Sequence, residues 1–185
     1  MTYNVIQYDD ALRPIYQKCI AQARSRIPKD VEYMLLTTTS CKARNGDYRA
    51  VSDVVRLKLA AAQPSMVWLD SDVLIKKWPD FPLKKGKAYI NDHTASVIFV
   101  NGRTDLFSMM WYQYNLDQTL NYPGWFQTLI KNNMSEIEIL PKGYFIHCEM
   151  SGAIQAGVNF DNFGHGGFTI SRNKETGELQ LKVDF

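Results

Sequence analysis

A chain of 185 residues with 45% hydrophobic and 22% charged residues is long enough to bury one sizeable core. Its 21 basic and 19 acidic side chains leave a net charge of +2, too balanced for a nucleic-acid binder with a basic stripe. Three scattered cysteines, Cys19, Cys41 and Cys148, form no CxxC or CxxH pair, which argues against a structural zinc site and a disulfide scaffold. The first ten residues lack an apolar signal core, and no run approaches the roughly 18 apolar residues of a membrane span. A single cytoplasmic domain over 1–185 is expected.

The elements alternate in the manner of an α/β sandwich. A short apolar strand is predicted over 3–8. Leu12, Ile15, Tyr16, Cys19, Ile20, Ala23 and Ile27 then recur at three- and four-residue steps, one face of a helix. Pro14 suits its first turn and Pro28 stops it. A strand over 31–37, a polar loop and a helix over 47–62 follow. Met66-Val67-Trp68-Leu69 is a continuous apolar run, as in a strand buried on both faces. Beyond it, strands are predicted over 88–91, 96–101, 137–140 and 144–148, and helices over 104–116 and 124–132. The Gly- and Asn-rich stretch 152–167 reads as a loop. Segments 168–172 and 179–183 are expected to pair across the turn Lys174-Glu175-Thr176-Gly177.

The apolar run ends in Asp70-Ser71-Asp72. In extended chain, residues two apart share a side, so the two carboxylates converge past the carboxyl end of a strand, where open α/β sheets bind ligands. Like charges so placed need a proton or a cation between them, and hard oxygen ligands suit Mg²⁺ or Mn²⁺. Exposed turns also carry DxD triplets, so the buried strand before this one is what singles it out. Upstream, Asp53 and Arg56 share one helix face, which alone describes an ordinary ion pair.

The order Ser52-Asp53, Arg56, an apolar helix end and a buried strand closing in Leu69-Asp70-Ser71-Asp72-Val73 resembles the sugar-binding DxD glycosyltransferases. These include capsule and mannosyl-type transferases and the catalytic domains of clostridial glucosylating toxins. Ala60 stands where that family tends to carry a bulky apolar residue, and Ala61-Ala62-Gln63-Pro64 where it usually has a Gly-Gly turn. The resemblance implies a GT-A-like fold, with a mostly parallel central sheet flanked by helices. It implies a metal-dependent, retaining glycosyltransferase taking a UDP- or GDP-sugar donor. Asp72 would bind Mn²⁺ or Mg²⁺, and Asp70 would contact the metal, the ribose or both. Asp53, Arg56 and Ser71 would hold the donor, and Ile6, Gln7 and Tyr8, at the end of the first strand, would receive the base, with a plain core aromatic the alternative for Tyr8.

His165, in Gly164-His165-Gly166-Gly167, is a candidate third metal ligand or phosphate donor, against the alternative of an exposed loop histidine. His147, between Ile146 and Cys148, reads rather as a core or edge histidine, and His93 as a weak candidate for sugar or acceptor contact. Trp125 and Phe126 could stack on a sugar, although core packing accounts for them as well. An inverting enzyme would need a base, for which Glu149 and Asp161 are the candidates. No GxSxG, P-loop, HExxH or GxGxxG motif is present. The acceptor site is expected from the last part of the chain, a partner subunit or a second protomer. The rival readings are a nucleotidyltransferase and a non-catalytic scaffold on a similar fold.

Overall fold

The computed structural model describes residues 4–8, 14–36, 44 and 48–185. Among the described residues, ten strands and five helices run in the order β1 (Asn4–Tyr8), α1 (Pro14–Arg26), β2 (Glu32–Leu36), α2 (Tyr48–Ala62), β3 (Ser65–Asp70), β4 (Val73–Ile75), β5 (Lys87–Ile90) and β6 (Val97–Asn101). The second half continues with α3 (Leu106–Leu116), α4 (Trp125–Asn132), a 3₁₀ turn (Met134–Glu136), β7 (Ile137–Ile139), β8 (Phe145–His147), α5 (Met150–Gln155), β9 (Phe168–Arg172) and β10 (Leu179–Val183).

The central sheet has the order β2-β1-β3-β6-β5-β7. Pairings β1–β2, β1–β3 and β5–β7 are parallel, and only β6 runs against its neighbours. This is the mainly parallel α/β architecture expected from the sequence. β3 lies in the middle with both edges paired, which explains its unbroken apolar run. Alternation divides that run between two layers. Met66 and Trp68 pack with Val54, Leu57, Phe107 and Phe126 of α2, α3 and α4. Val67 and Leu69 pack with Ala23 of α1 and with Val73 and Ile75 of β4.

Helix α1 buries Ile15, Tyr16, Cys19, Ile20 and Ala23, the face that the spacing predicts, and ends on the basic pair Arg24 and Arg26. Leu12 lies outside the described residues. The hairpin β9–β10 pairs in the register Arg172↔Leu179 and closes a third apolar cluster around Cys148, Met150 and Phe160. Two elements depart from the sequence reading. β4 pairs with β8 in a separate small ladder, and α5 forms inside the stretch read as loop. Each is only three to six residues long, too short to carry a period.

Gly164 explains part of the glycine-rich stretch. A Cβ there would lie 2.1 Å from the Phe168 carbonyl oxygen, so the glycine lets the chain close on itself at the Phe163–Ile170 bridge. Its close backbone approach is to Phe168 and Thr169 of β9.

Candidate active site

Four segments meet at the carboxyl end of β3: the turn Asp70-Ser71-Asp72, helix α2, the β5–β6 connection and the β8–α5 junction. The β5–β6 connection is anchored by the Asp70 amide, which donates to the Ser96 carbonyl at 2.8 Å. The β8–α5 junction is anchored by Asp72, whose carbonyl accepts from Cys148 at 3.0 Å and whose Oδ2 accepts from the Met150 amide at 2.8 Å. Because β4 pairs antiparallel with β8, His147 lies opposite Val73, the residue after Asp72.

Asp70 shares a side with Trp68, two residues back, and Trp68 Nε1 donates to its Oδ1 at 2.7 Å. Arg56 comes over from α2 and places Nη1 3.4 Å from the same oxygen. That nitrogen also donates to the Ala95 carbonyl at 3.0 Å, while Nη2 pairs with Asp53. The guanidinium stacks over the Phe126 ring at 4.6 Å. Arg56 is 5% exposed and Asp53 7%. Both are therefore wedged behind Asp70 rather than facing a ligand. Asp70 keeps a fifth of its side chain open, the outlet of this buried network.

On the other side of the turn, Asp72 Oδ1 lies 3.3 Å from His147 Nε2. Asp70, Asp72 and His147 each offer a ligand atom, and these atoms lie within 4.8 Å of one another. The set fits a divalent cation: two hard carboxylate oxygens and one imidazole nitrogen suit Mn²⁺, and the oxygens suit Mg²⁺. The charges agree. Burial works to raise the Asp72 carboxyl, but the His147 hydrogen bond and charge and the Met150 amide outweigh it and hold Asp72 below its ordinary value. Burial works to lower His147, yet Asp72 prevails and pushes it up to about 9. An imidazolium between carboxylates marks a place built around positive charge. Burial pushes the Asp53 and Asp70 carboxyls up, only partly offset by the Arg56 charge.

Several candidates stand elsewhere. His165 is exposed, packs its ring edge-on against Phe168 at 4.9 Å and is not a member of the acidic group; the histidine brought there is His147. Gln7 is wholly buried: its Nε2 donates to the Asp70 carbonyl at 3.3 Å and its Oε1 accepts from the Tyr33 hydroxyl at 2.7 Å. A side chain so enclosed props the end of β3 and does not face a base. The Tyr8 side chain lies outside the described residues. Trp125 and Phe126 are core residues, 1% and 0% exposed. Glu149 is exposed beside Met150, whereas Asp161 is held by Asn159 at 2.8 Å in its own loop. His93 is exposed, and its neighbours Asp92 and Thr94 carry the polar contacts of that loop. Sequence reasoning missed His147, Trp68, Asp92 and Thr94. Only Trp68 had a local signal, its two-residue offset from Asp70.

No described helix is long and apolar enough to cross a membrane. No protein-family model matches the sequence, and no curated protein matches it. Among solved structures, the chain is similar to a glycosyltransferase involved in the glycosylation of the major capsid of PBCV-1. The identity is 10%, over 80% of this chain and 92% of that one, with a TM-score of 0.54. It is also similar to the apo form of the glycosyltransferase GlyE of Streptococcus pneumoniae TIGR4, at 12% identity, over 85% of this chain and 50% of that one, again with a TM-score of 0.54. The chain thus spans about half the length of GlyE. At such identities the likeness is one of fold, and this chain has the mixed α/β fold of those two glycosyltransferases.

Proposed function

We propose that this protein is a metal-dependent glycosyltransferase that moves a sugar from a UDP- or GDP-sugar to an acceptor. The observation that carries the reading is the Asp70–Asp72–His147 group at the carboxyl end of the central strand, on a fold shared with glycosyltransferases. Asp70, Asp72 and His147 would hold Mn²⁺ or Mg²⁺, which when bound neutralises the charge of the leaving diphosphate. Arg56 positions Asp70 from behind and, with the Trp68 Nε1 donor, offsets part of the burial that pushes its carboxyl up. Asp53 supplies the second carboxylate that holds Arg56 in its buried place. The Met150 amide orients Asp72. Ser71, half-buried between the two carboxylates in sequence, would contact the donor.

We take the outcome as retaining, in keeping with the DxD transferases that the motif resembles. Glu149→Gln then leaves turnover within about threefold, whereas loss of a general base costs on the order of 10²–10⁴. Acceptor contacts are assigned to the last part of the chain, with a second protomer or a partner subunit completing the site.

The deciding experiment is calorimetric titration with UDP-glucose, GDP-mannose and the free diphosphates, in Mn²⁺ and in EDTA, on wild type and Asp72→Ala. Metal-dependent binding of one nucleotide, lost in Asp72→Ala, is the expected result. A folded protein that binds none of them moves the weight to a scaffold. Release of pyrophosphate rather than nucleoside diphosphate identifies a nucleotidyltransferase.

A further inference from the structure

Resting on the metal-site reading above, we propose that Thr94 and Asp92 are positioning residues that fix the tautomer and ring direction of His147, turning its Nε2 toward the acidic pair.

A neutral imidazole has one N–H and one bare nitrogen, and only the bare nitrogen can ligate a metal. His147 Nε2 lies 3.3 Å from Asp72 Oδ1, and its other nitrogen, Nδ1, lies 3.4 Å from Thr94 Oγ1. The Thr94 hydroxyl has a single proton. That proton is committed to Asp92 Oδ1 at 2.5 Å, the length of a charge-assisted bond to a carboxylate. Thr94 Oγ1 can therefore only accept from His147, which requires the proton on Nδ1. The chain Nδ1–H to Oγ1–H to carboxylate holds the proton on Nδ1, so Nε2, which donates to Asp72 while no cation is bound, is the nitrogen free to give up its proton and ligate. The opposite tautomer would set the Nδ1 lone pair against an oxygen with no proton left to give.

The loop that carries Thr94 is itself held. Asp92 Oδ1 also accepts the Thr94 amide at 2.9 Å, and the Asp92 carbonyl accepts the Ala95 amide at 3.1 Å. Asn91 clamps the loop by donating to Ser96 Oγ at 2.8 Å and accepting from the Val97 amide at 2.9 Å. The Ser96 carbonyl then takes the Asp70 amide, so the loop that orients the histidine is tied to the strand that presents the acid. Partners that hold the second nitrogen of a ligating histidine set its orientation and basicity, and their loss typically costs 10–100-fold in metal affinity.

The test uses Mn²⁺ alone, titrated by water-proton relaxation into wild type, Asp72→Ala, Thr94→Val and Thr94→Ser. The Mg²⁺-loaded proteins are read in parallel by long-range ¹⁵N–¹H spectra of the imidazole. Thr94→Val is expected to weaken Mn²⁺ binding about 10–100-fold and to lose the Nδ1–H tautomer, while Thr94→Ser stays within about threefold of wild type. Should Thr94→Val not fold, Asp92→Ala asks the same question, because it frees the hydroxyl to donate to Nδ1 and reverses the tautomer. Wild-type affinity in the folded Val variant, or an equal loss in Thr94→Ser, overturns the inference alone, provided Asp72→Ala abolishes binding. No Mn²⁺ uptake by wild type overturns the metal site and the inference together.

Discussion

Arg56→Met is the sharpest perturbation of the buried network. The methionine fills most of the arginine stem's volume, so the change removes chiefly the charge and its hydrogen bonds. Asp53 and Asp70 then share a buried setting without the guanidinium that pairs with both. Breaking a buried pair by removing one partner costs about 3–5 kcal/mol, because the charge left behind is uncompensated. For a chain of 185 residues each kcal/mol corresponds to roughly 2–4 °C, so a fall of about 10 °C in Tm at pH 7.5 is expected. The sign of the pH dependence follows from the carboxyls. Both are already raised in the folded protein, so the stability tied to their protonation is present at low pH and is lost as pH rises through the folded values. Without Arg56 those values climb further, so the loss is greater at pH 7.5 than at low pH. At low pH, below the ordinary carboxylate value of about 3.9, both carboxyls are protonated, and the loss is confined to the contacts with Phe126 and Trp68, worth about 0.5–2 kcal/mol, and the hydrogen bond to Ala95, worth about 1 kcal/mol. Thermal melts of wild type and Arg56→Met at the two pH values measure the difference. A shift under about 2 °C at pH 7.5, or equal losses at both, would refute the reasoning.

Further outcomes follow from the same geometry. His147 is raised from 6.5 to about 9 in the fold, so its contribution is whole below pH 6.5 and lost as pH rises through about 9. In EDTA the His147–Asp72 pair thus contributes roughly 3 kcal/mol, and His147→Gln should flatten the melting profile over that window. Mn²⁺ at about a hundred times its Kd should stabilise the protein by about 2.7 kcal/mol, reversed by EDTA and missing in Asp72→Ala; equal melting with and without Mn²⁺ counts against the site. Glu149 sits at φ 54° and ψ 30°, a left-handed backbone that costs a non-glycine residue about 1 kcal/mol. Glu149→Gly should therefore raise Tm by about 2–4 °C instead of lowering it, and a fall would show that its side chain holds the β8–α5 junction.

Much of the frame was legible in the sequence because its signals are local. The spacing of Ile15, Tyr16, Cys19, Ile20 and Ala23 marks a buried helix face whatever the fold, and the run from Met66 to Leu69 marks a strand covered on both sides. The position of Asp70 and Asp72 just past that strand follows from chain order alone. Tertiary structure decided which groups join them. His147 reaches Asp72 because β4 and β8 pair antiparallel, a register between short segments far apart in the chain, each without a period of its own. Arg56 and Asp53 turn inward because α2 lies across the face that carries Trp68, so a pair that reads as exposed becomes the counter-charge of a buried carboxylate. Gln7 is withdrawn from any ligand for the matching reason: the parallel pairing of β1 with β3 sets it against the Asp70 carbonyl, and an enclosed amide must bond to what surrounds it. Periodicity is written residue by residue along the chain, whereas the partner of a buried charge is chosen by whichever distant segment packs beside it.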